Sequence, residues 1–229
     1  RIGEETIQVT GSIGAAFSAP GITSDQMLRE AGLAQRQARQ QGGQGWTSYE
    51  SRLGARANAR ATIARDLRYA IERNQLVAVY QPKVELRTGM IAGFEALLRW
   101  RLPGHGDIPP SEFIPLAEQS NLIHAIGEWV FGKVCTDFAA WRNAGAAPKR
   151  VAINLSLRQF GRPGTVERIA EILRAHDVAP SLIELEITES TLMEYERSGP
   201  VLESLAALGF RIAIDDFGTG YSSLAALRQ

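Results

Sequence analysis

From position 77 onward, five short β-rich runs alternate with helical patterns: Val77 to Pro82, Ile91 to Ala96, Val151 to Leu155, Ile183 to Thr188 and Arg211 to Asp215. That alternation is expected when parallel strands are joined by crossover helices, which restricts the chain to a few α/β architectures. The intervening segments carry apolar stripes at helical spacing. Ile126, Trp129, Val130, Val134, Phe138 and Trp141 form one; Val166, Ile169, Ala170 and Leu173 a second; Val201, Leu202, Leu205 and Leu208 a third. Trp129 and Trp141 read as packing residues. Ser111, ahead of Glu112 and Phe113, reads as the N-cap of a helix entered through Pro109-Pro110.

Each β-rich run closes on a polar group that can coordinate or hydrogen-bond: Gln81, Glu95, Asn154, Glu186 and the pair Asp215-Asp216. In a barrel of parallel strands the C-terminal ends share one rim, so residues far apart in sequence meet there. Carboxylates gathered on such a rim are all ionised near neutral pH and repel one another, and a bound cation removes the repulsion. The donors are all oxygens, which favours magnesium, manganese or calcium over zinc or copper. His105, His124 and His176 fall at no strand end. Adjacent acids at a strand end suit two bridged metals, the arrangement used for in-line attack on phosphodiesters. The glycine-rich turn from Phe217 to Ser223 leads toward a helix whose backbone amides suit an anion. Glu184 shares strand parity with Glu186 but is expected deeper or toward the opposite rim, so it stays outside the ligand set. Plainer roles remain open: Asn154 bonding its own backbone, Arg99 pairing with a nearby acid, Gly218 and Gly220 as turn residues only.

Composition narrows the partners. With 45% hydrophobic and 22% charged residues the chain is an ordinary globular one, and 25 basic residues balance 25 acidic ones. No net field draws it toward a nucleic acid polymer or an anionic membrane. The single cysteine, Cys135, excludes a disulfide framework and a cysteine-based zinc site. No apolar run reaches the roughly 18 residues of a membrane span, and the N-terminal residues do not read as a signal peptide. A cytoplasmic location is expected, with membrane anchorage of the parent protein upstream left open.

Ahead of this region, Ile7, Val9 and Ser12-Ile13-Gly14 read as a strand and Ser24 to Gln40 as a helix, ended by the breaker cluster Gln41-Gly42-Gly43-Gln44-Gly45. A boundary is expected near residue 50. Ser51 to Asn74, with Ile63, Leu67, Ala70 and Ile71 at helical spacing, reads as an amphipathic connecting helix. The start at Arg1, inside a strand pattern, implies further sequence upstream.

The ordered motifs resemble one family. Glu95-Ala96-Leu97, followed by Leu98-Arg99-Trp100, stands with Tyr80-Gln81-Pro82, Ile153-Asn154-Leu155-Ser156, Glu186-Ile187-Thr188-Glu189 and Asp215-Asp216-Phe217-Gly218-Thr219-Gly220, as in EAL domains. The resemblance covers roughly residues 58 to 229, about 170 of the roughly 250 residues of a complete barrel. It implies an α/β fold: a TIM-like (β/α)8 barrel cut after about two-thirds, its barrel part over 75–229 and its start with the connecting helix over 51–74.

The implied activity is hydrolysis of cyclic di-GMP to linear pGpG with magnesium or manganese, at a two-metal site. By motif match, Glu95, Asn154, Glu186, Asp215 and Asp216 correspond to metal ligands. Gln81, Leu98 and Arg99 correspond to substrate contacts, and Glu189 to a residue supporting an active-site loop. The family's lysine and general-base glutamate belong after Gln229, so these residues alone are expected to be inactive. Residues 1–50 resemble the end of a GGDEF domain, with Gly32 and Arg36 departing from its usual residues. The alternatives carried forward are a non-catalytic cyclic di-GMP receptor and a regulatory interaction module. Homodimerisation and an upstream sensory domain are also open.

Overall fold

A computed structural model describes residues 10–160, 162–189 and 195–215. The chain divides into two compact units, Arg1–Arg65 and Asp66–Gln229.

In the first unit, β1 (Ser12–Ala15) pairs in parallel with β2 (Gly45–Ser48), and α1 (Ser24–Gln40) links them. α1 starts where Thr23 accepts a hydrogen bond from the Gln26 amide, and it ends before the glycine cluster. A strand, β2, begins at the last glycine of that cluster, whose breaker residues had obscured it. Gly14 lies so close to α1 that an added Cβ would fall 2.1 Å from the Ala31 carbonyl oxygen, which only glycine permits. Ile7 and Val9 lie outside the described residues.

α2 (Ser51–Leu67) is shorter than the connecting helix read to Asn74. Beyond Leu67 the chain makes turns, and Asn74 adopts φ 52°, a left-handed conformation that asparagine tolerates and a helix interior does not.

The second unit is built on a six-stranded sheet. Its strands are β3 (Leu76–Val84), β4 (Ile91–Leu102), β5 (Gly106–Ile108), β6 (Val151–Asn154), β7 (Ile183–Thr188) and β8 (Arg211–Asp215), ordered β3-β4-β6-β7-β8 with β5 paired to β4. β4, β6, β7 and β8 run parallel. β3 and β5 are antiparallel to β4, which corrects the expectation of uniformly parallel strands. The reason is connection length. Six residues separate β3 from β4, enough for a hairpin, whereas a parallel crossover needs a dozen or more. β4 also continues to Leu102, so Glu95 lies within a long strand rather than at its end.

Helices α3 (Pro110–Gln119), α4 (Leu122–Asn143), α5 (Leu157–Phe160), α6 (Thr165–Ala175) and α7 (Tyr195–Ala207) complete this unit. α3 opens on Pro110 with Pro109 as its cap residue and no capping side chain, so Ser111 sits inside the first turn rather than at the N-cap. Proline's preset φ and missing N–H suit that position.

One core joins sheet and helices. Ala96, Val151, Ile153, Ile183, Leu185 and Ile187 from the strands pack with Phe131, Val134, Cys135 and Phe138 of α4, Ile169, Ile172 and Leu173 of α6, and Leu202 and Leu205 of α7. Each fully buried side chain of this size contributes about 1.5–3 kcal/mol. Of the three sequence stripes, Val134, Phe138, Ile169, Leu173, Leu202 and Leu205 enter this core and Val130, Trp141, Val166 and Val201 pack against it, whereas Leu208 lies past the end of α7 and is exposed.

Candidate metal centre

Strand alternation divides β7 cleanly. Ile183, Leu185 and Ile187 enter the core with the helices, which leaves Glu184, Glu186 and Thr188 on the opposite face. The parallel register then brings that face's residues into rows. Glu95 is opposite Ala152, Asn154 opposite Glu186, and Thr188 opposite Asp215.

The outcome is a convergence of three carboxylates: Glu95, Glu186 and Asp215 each place an oxygen within 4.8 Å of the others. Asn154 adjoins them, its Nδ2 donating to Glu95 Oε1 at 2.7 Å. Asp216 and the glycine-rich turn that follows lie outside the described residues.

Electrostatics set this cluster apart from an ordinary acidic patch. Two unit charges near 5 Å repel by about 3 kcal/mol at an effective dielectric near 20. Glu186 is buried, and burial first, then its neighbours Glu95 and Asp215, raise its carboxyl pKa above the usual range against the opposing pull of Lys83. Its Oε1 accepts a hydrogen bond from Lys83 Nζ at 2.5 Å, while its Oε2 is buried without a hydrogen-bond partner. A buried unpartnered carboxylate oxygen is costly, and a bound cation would satisfy it. Glu95, Asn154, Glu186 and Asp215 therefore fit a hard divalent cation by donor chemistry and by this open oxygen.

A second row lies beneath. Glu184 accepts from Lys83 Nζ at 2.9 Å through Oε1 and from Arg150 Nη1 at 3.2 Å through Oε2. Burial acts to raise the Glu184 pKa, but Lys83 and then Arg150 outweigh it and hold the carboxyl below its usual range. Glu184 is thus engaged by Lys83 and Arg150. Burial likewise acts to lower the Lys83 pKa and is outweighed by Glu186 and Glu184, so the ammonium stays charged to higher pH than usual. Lys83 and Arg150 were not singled out in the sequence. The available signal was that Lys83 shares strand parity with Gln81.

A cavity of about 940 Å³ opens beside the cluster, lined in part by Leu98, Arg99, Asn154, Glu186 and Thr188. Two of the three substrate-contact candidates therefore reach one space with two ligand candidates. Arg99 turns one guanidinium N–H onto the Leu98 carbonyl at 2.9 Å. Gln81 does not line that cavity: it is exposed, on a strand antiparallel to the others, and comes level with Glu95 through the β3–β4 hairpin rather than at a shared C-terminal end. Glu189 is buried immediately after β7.

Helices on one face of a largely parallel sheet, carboxylates gathered on the other and an arginine-bearing cavity beside them give an α/β protein with a candidate cation centre. Comparison with known proteins gives the family: the model described as "EAL domain" matches residues 64–229, and the chain belongs to the EAL family. It is 42% identical over its whole length to the bifunctional diguanylate cyclase/cyclic di-GMP phosphodiesterase MucR of Pseudomonas aeruginosa, covering 34% of that protein. It is 36% identical over 98% of its length to the cyclic di-GMP phosphodiesterase NbdA of the same organism, covering 29% of it. Among solved structures, the PaMucR phosphodiesterase in complex with c-di-GMP superposes with a TM-score of 0.68 and 48% identity, over 73% of this chain and 68% of that one. The chain thus spans about a third of the curated relatives it matches. Among the described residues no helix is long and apolar enough to cross a membrane.

Proposed function

We propose that the chain forms the ligand-bearing part of a metal-dependent phosphodiesterase that hydrolyses cyclic di-GMP to linear pGpG. The observation that carries this is the meeting of Glu95, Glu186 and Asp215, together with a buried Glu186 oxygen that has no hydrogen-bond partner. The MucR and NbdA resemblances support the substrate, since both are named for cyclic di-GMP turnover. Magnesium or manganese is the cation proposed, with Glu95, Asn154, Glu186 and Asp215 as ligands and Asp216 adding the second acid of a two-metal site. The bound metal supplies Lewis-acid polarisation of a phosphoryl oxygen and lowers the pKa of a bound water.

The chain's own residues do the rest. Asn154 orients the Glu95 carboxylate by its hydrogen bond. Arg99 offers a planar guanidinium to a phosphate from the cavity wall, Leu98 an apolar contact to a base, and Gln81 an amide at the level of Glu95. Glu189 is proposed to support an active-site loop. Residues 1–50 are proposed as the end of a GGDEF-like domain.

The test is to incubate the full-length protein with cyclic di-GMP and Mn²⁺ or Mg²⁺ and resolve the products by chromatography, with Glu95→Ala alongside. Appearance of pGpG that vanishes on chelation and in the variant supports the reading. Binding without cleavage would make the protein a cyclic di-GMP receptor instead.

A further inference from the structure

Lys83 belongs to no motif that the sequence singled out, yet its ammonium bonds Glu186 Oε1 at 2.5 Å. It stands on β3, three strands away from β7 in the order β3-β4-β6-β7. Its side chain crosses the sheet face because the positions between carry almost nothing. Gly93 is its register partner on β4, and Ala152 is the partner of Glu184 on β6. Gly93 is itself held to glycine: an added Cβ would lie 2.6 Å from the Arg150 carbonyl oxygen. The path from Lys83 to the two glutamates is therefore built into the backbone packing.

At the end of that path the ammonium divides its bonds. It donates to Glu186 Oε1 at 2.5 Å and to Glu184 Oε1 at 2.9 Å, and Glu184 is braced in turn by Arg150 at 3.2 Å. The Glu186 carboxylate is thereby held by one oxygen while the other has no hydrogen-bond partner, and the group stands in one cluster with Glu95 and Asp215. We infer that Lys83 is a positioning residue for the cation centre: it clamps Glu186 through Oε1 so that Oε2 is presented to the metal as a single oriented donor. This rests on Glu186 being a metal ligand.

Two effects of the lysine compete. Its positive charge repels a cation, whereas its hydrogen bond fixes a ligand that would otherwise rotate. Glu184 neutralises the ammonium at 2.9 Å, which reduces the repulsion without loosening the clamp. Positioning should therefore win, as it does for the outer partners of other metal ligands, whose removal costs about 10- to 100-fold in metal affinity.

The experiment is a Mn²⁺ titration of the full-length protein, reading free Mn²⁺ by electron paramagnetic resonance. Wild type, Glu95→Ala, Lys83→Met, Lys83→Arg and Glu184→Gln are compared, with folding checked by circular dichroism. Lys83→Met should weaken Mn²⁺ binding by about tenfold, and Lys83→Arg, which keeps a charge and several donors, should recover most of that loss. Glu184→Gln should weaken binding by a smaller factor, and it decides the matter if Lys83→Met fails to fold. Unchanged or tighter binding in Lys83→Met, or a loss that Lys83→Arg does not recover, overturns the inference. If Glu95→Ala binds Mn²⁺ as wild type does, the ligand assignment itself fails; if only the Lys83 and Glu184 variants match wild type, the clamp alone fails.

Discussion

The two faces of β7 differ by one residue of register and by almost everything else. On one, Ile183, Leu185 and Ile187 are sealed against three helices; on the other, Glu184 and Glu186 face cations and carboxylates across the sheet. The backbone ladder is common to both, so the contrast isolates side-chain chemistry. The apolar face holds the strand in place, whereas the polar face combines the Lys83 and Arg150 ion pairs with the mutual repulsion of Glu95, Glu186 and Asp215. A slip of one residue would exchange the two faces, so the apolar side fixes the register on which the polar side depends.

Substitutions on the two faces should therefore fail in different ways. Glu186→Ala should lower cyclic di-GMP hydrolysis by the full-length protein by about 10³-fold, because metal-centred stabilisation is worth several kcal/mol and each roughly 1.4 kcal/mol is tenfold. Its thermal midpoint should change little or rise, since a buried acid that resists ionisation is gone. Leu185→Ala, one residue away, should cost about 2–5 kcal/mol in chemical denaturation. If the two variants gave the same pattern, the division of labour between faces would be wrong.

Cys135 sharpens the apolar side. Burial pushes its thiol up to about 11 from an ordinary 9.0. Near pH 8.5 the folded protein should react with iodoacetamide about 100-fold more slowly than the urea-unfolded chain, by thiolate fraction alone. The linked effect on stability has a definite sign. Below pH 9 both states hold the proton and Cys135 is neutral in the balance; between about 9 and 11 the unfolded thiol ionises first and stability falls. Rapid alkylation of the folded state would mean that this core opens readily.

The smallest effect belongs to Tyr80, which lies on the helix side of β3. Its hydroxyl donates to Asp137 Oδ2 at 2.6 Å and its ring meets Trp141 edge-on at 4.7 Å. Tyr80→Phe keeps the ring contact and should cost about 1–2 kcal/mol by denaturation, with hydrolysis unchanged. A loss of activity without a loss of stability would place Tyr80 in the site instead.

Most of the sheet was legible in the sequence because alternation and strand length are local properties. Ile183–Thr188 and Arg211–Asp215 coincide with the expected runs, and Ser24–Gln40 with the expected helix. Strand direction was less visible. The antiparallel course of β3 follows from a six-residue hairpin that resembles a strand-to-strand gap like any other until its length is weighed. β2 was hidden by the glycines that precede it, and the connecting helix was drawn too long because apolar spacing persists past Leu67 while the backbone turns. The carboxylates of the candidate centre were legible through motif order and strand parity, although Glu95 proved to lie inside a long strand rather than at its end. Lys83 was not, since its role depends on Gly93 and Ala152 clearing a path between strands that are distant in sequence.

The central claim is that the polar face of this sheet is a divalent-cation site. The most direct measurement is a crystal of the full-length protein soaked in Mn²⁺ and recorded at the manganese edge. The account predicts an anomalous peak within about 2.5 Å of oxygens from Glu95, Asn154, Glu186 and Asp215. A fully soaked crystal with no peak there, or with its peak elsewhere, would contradict it.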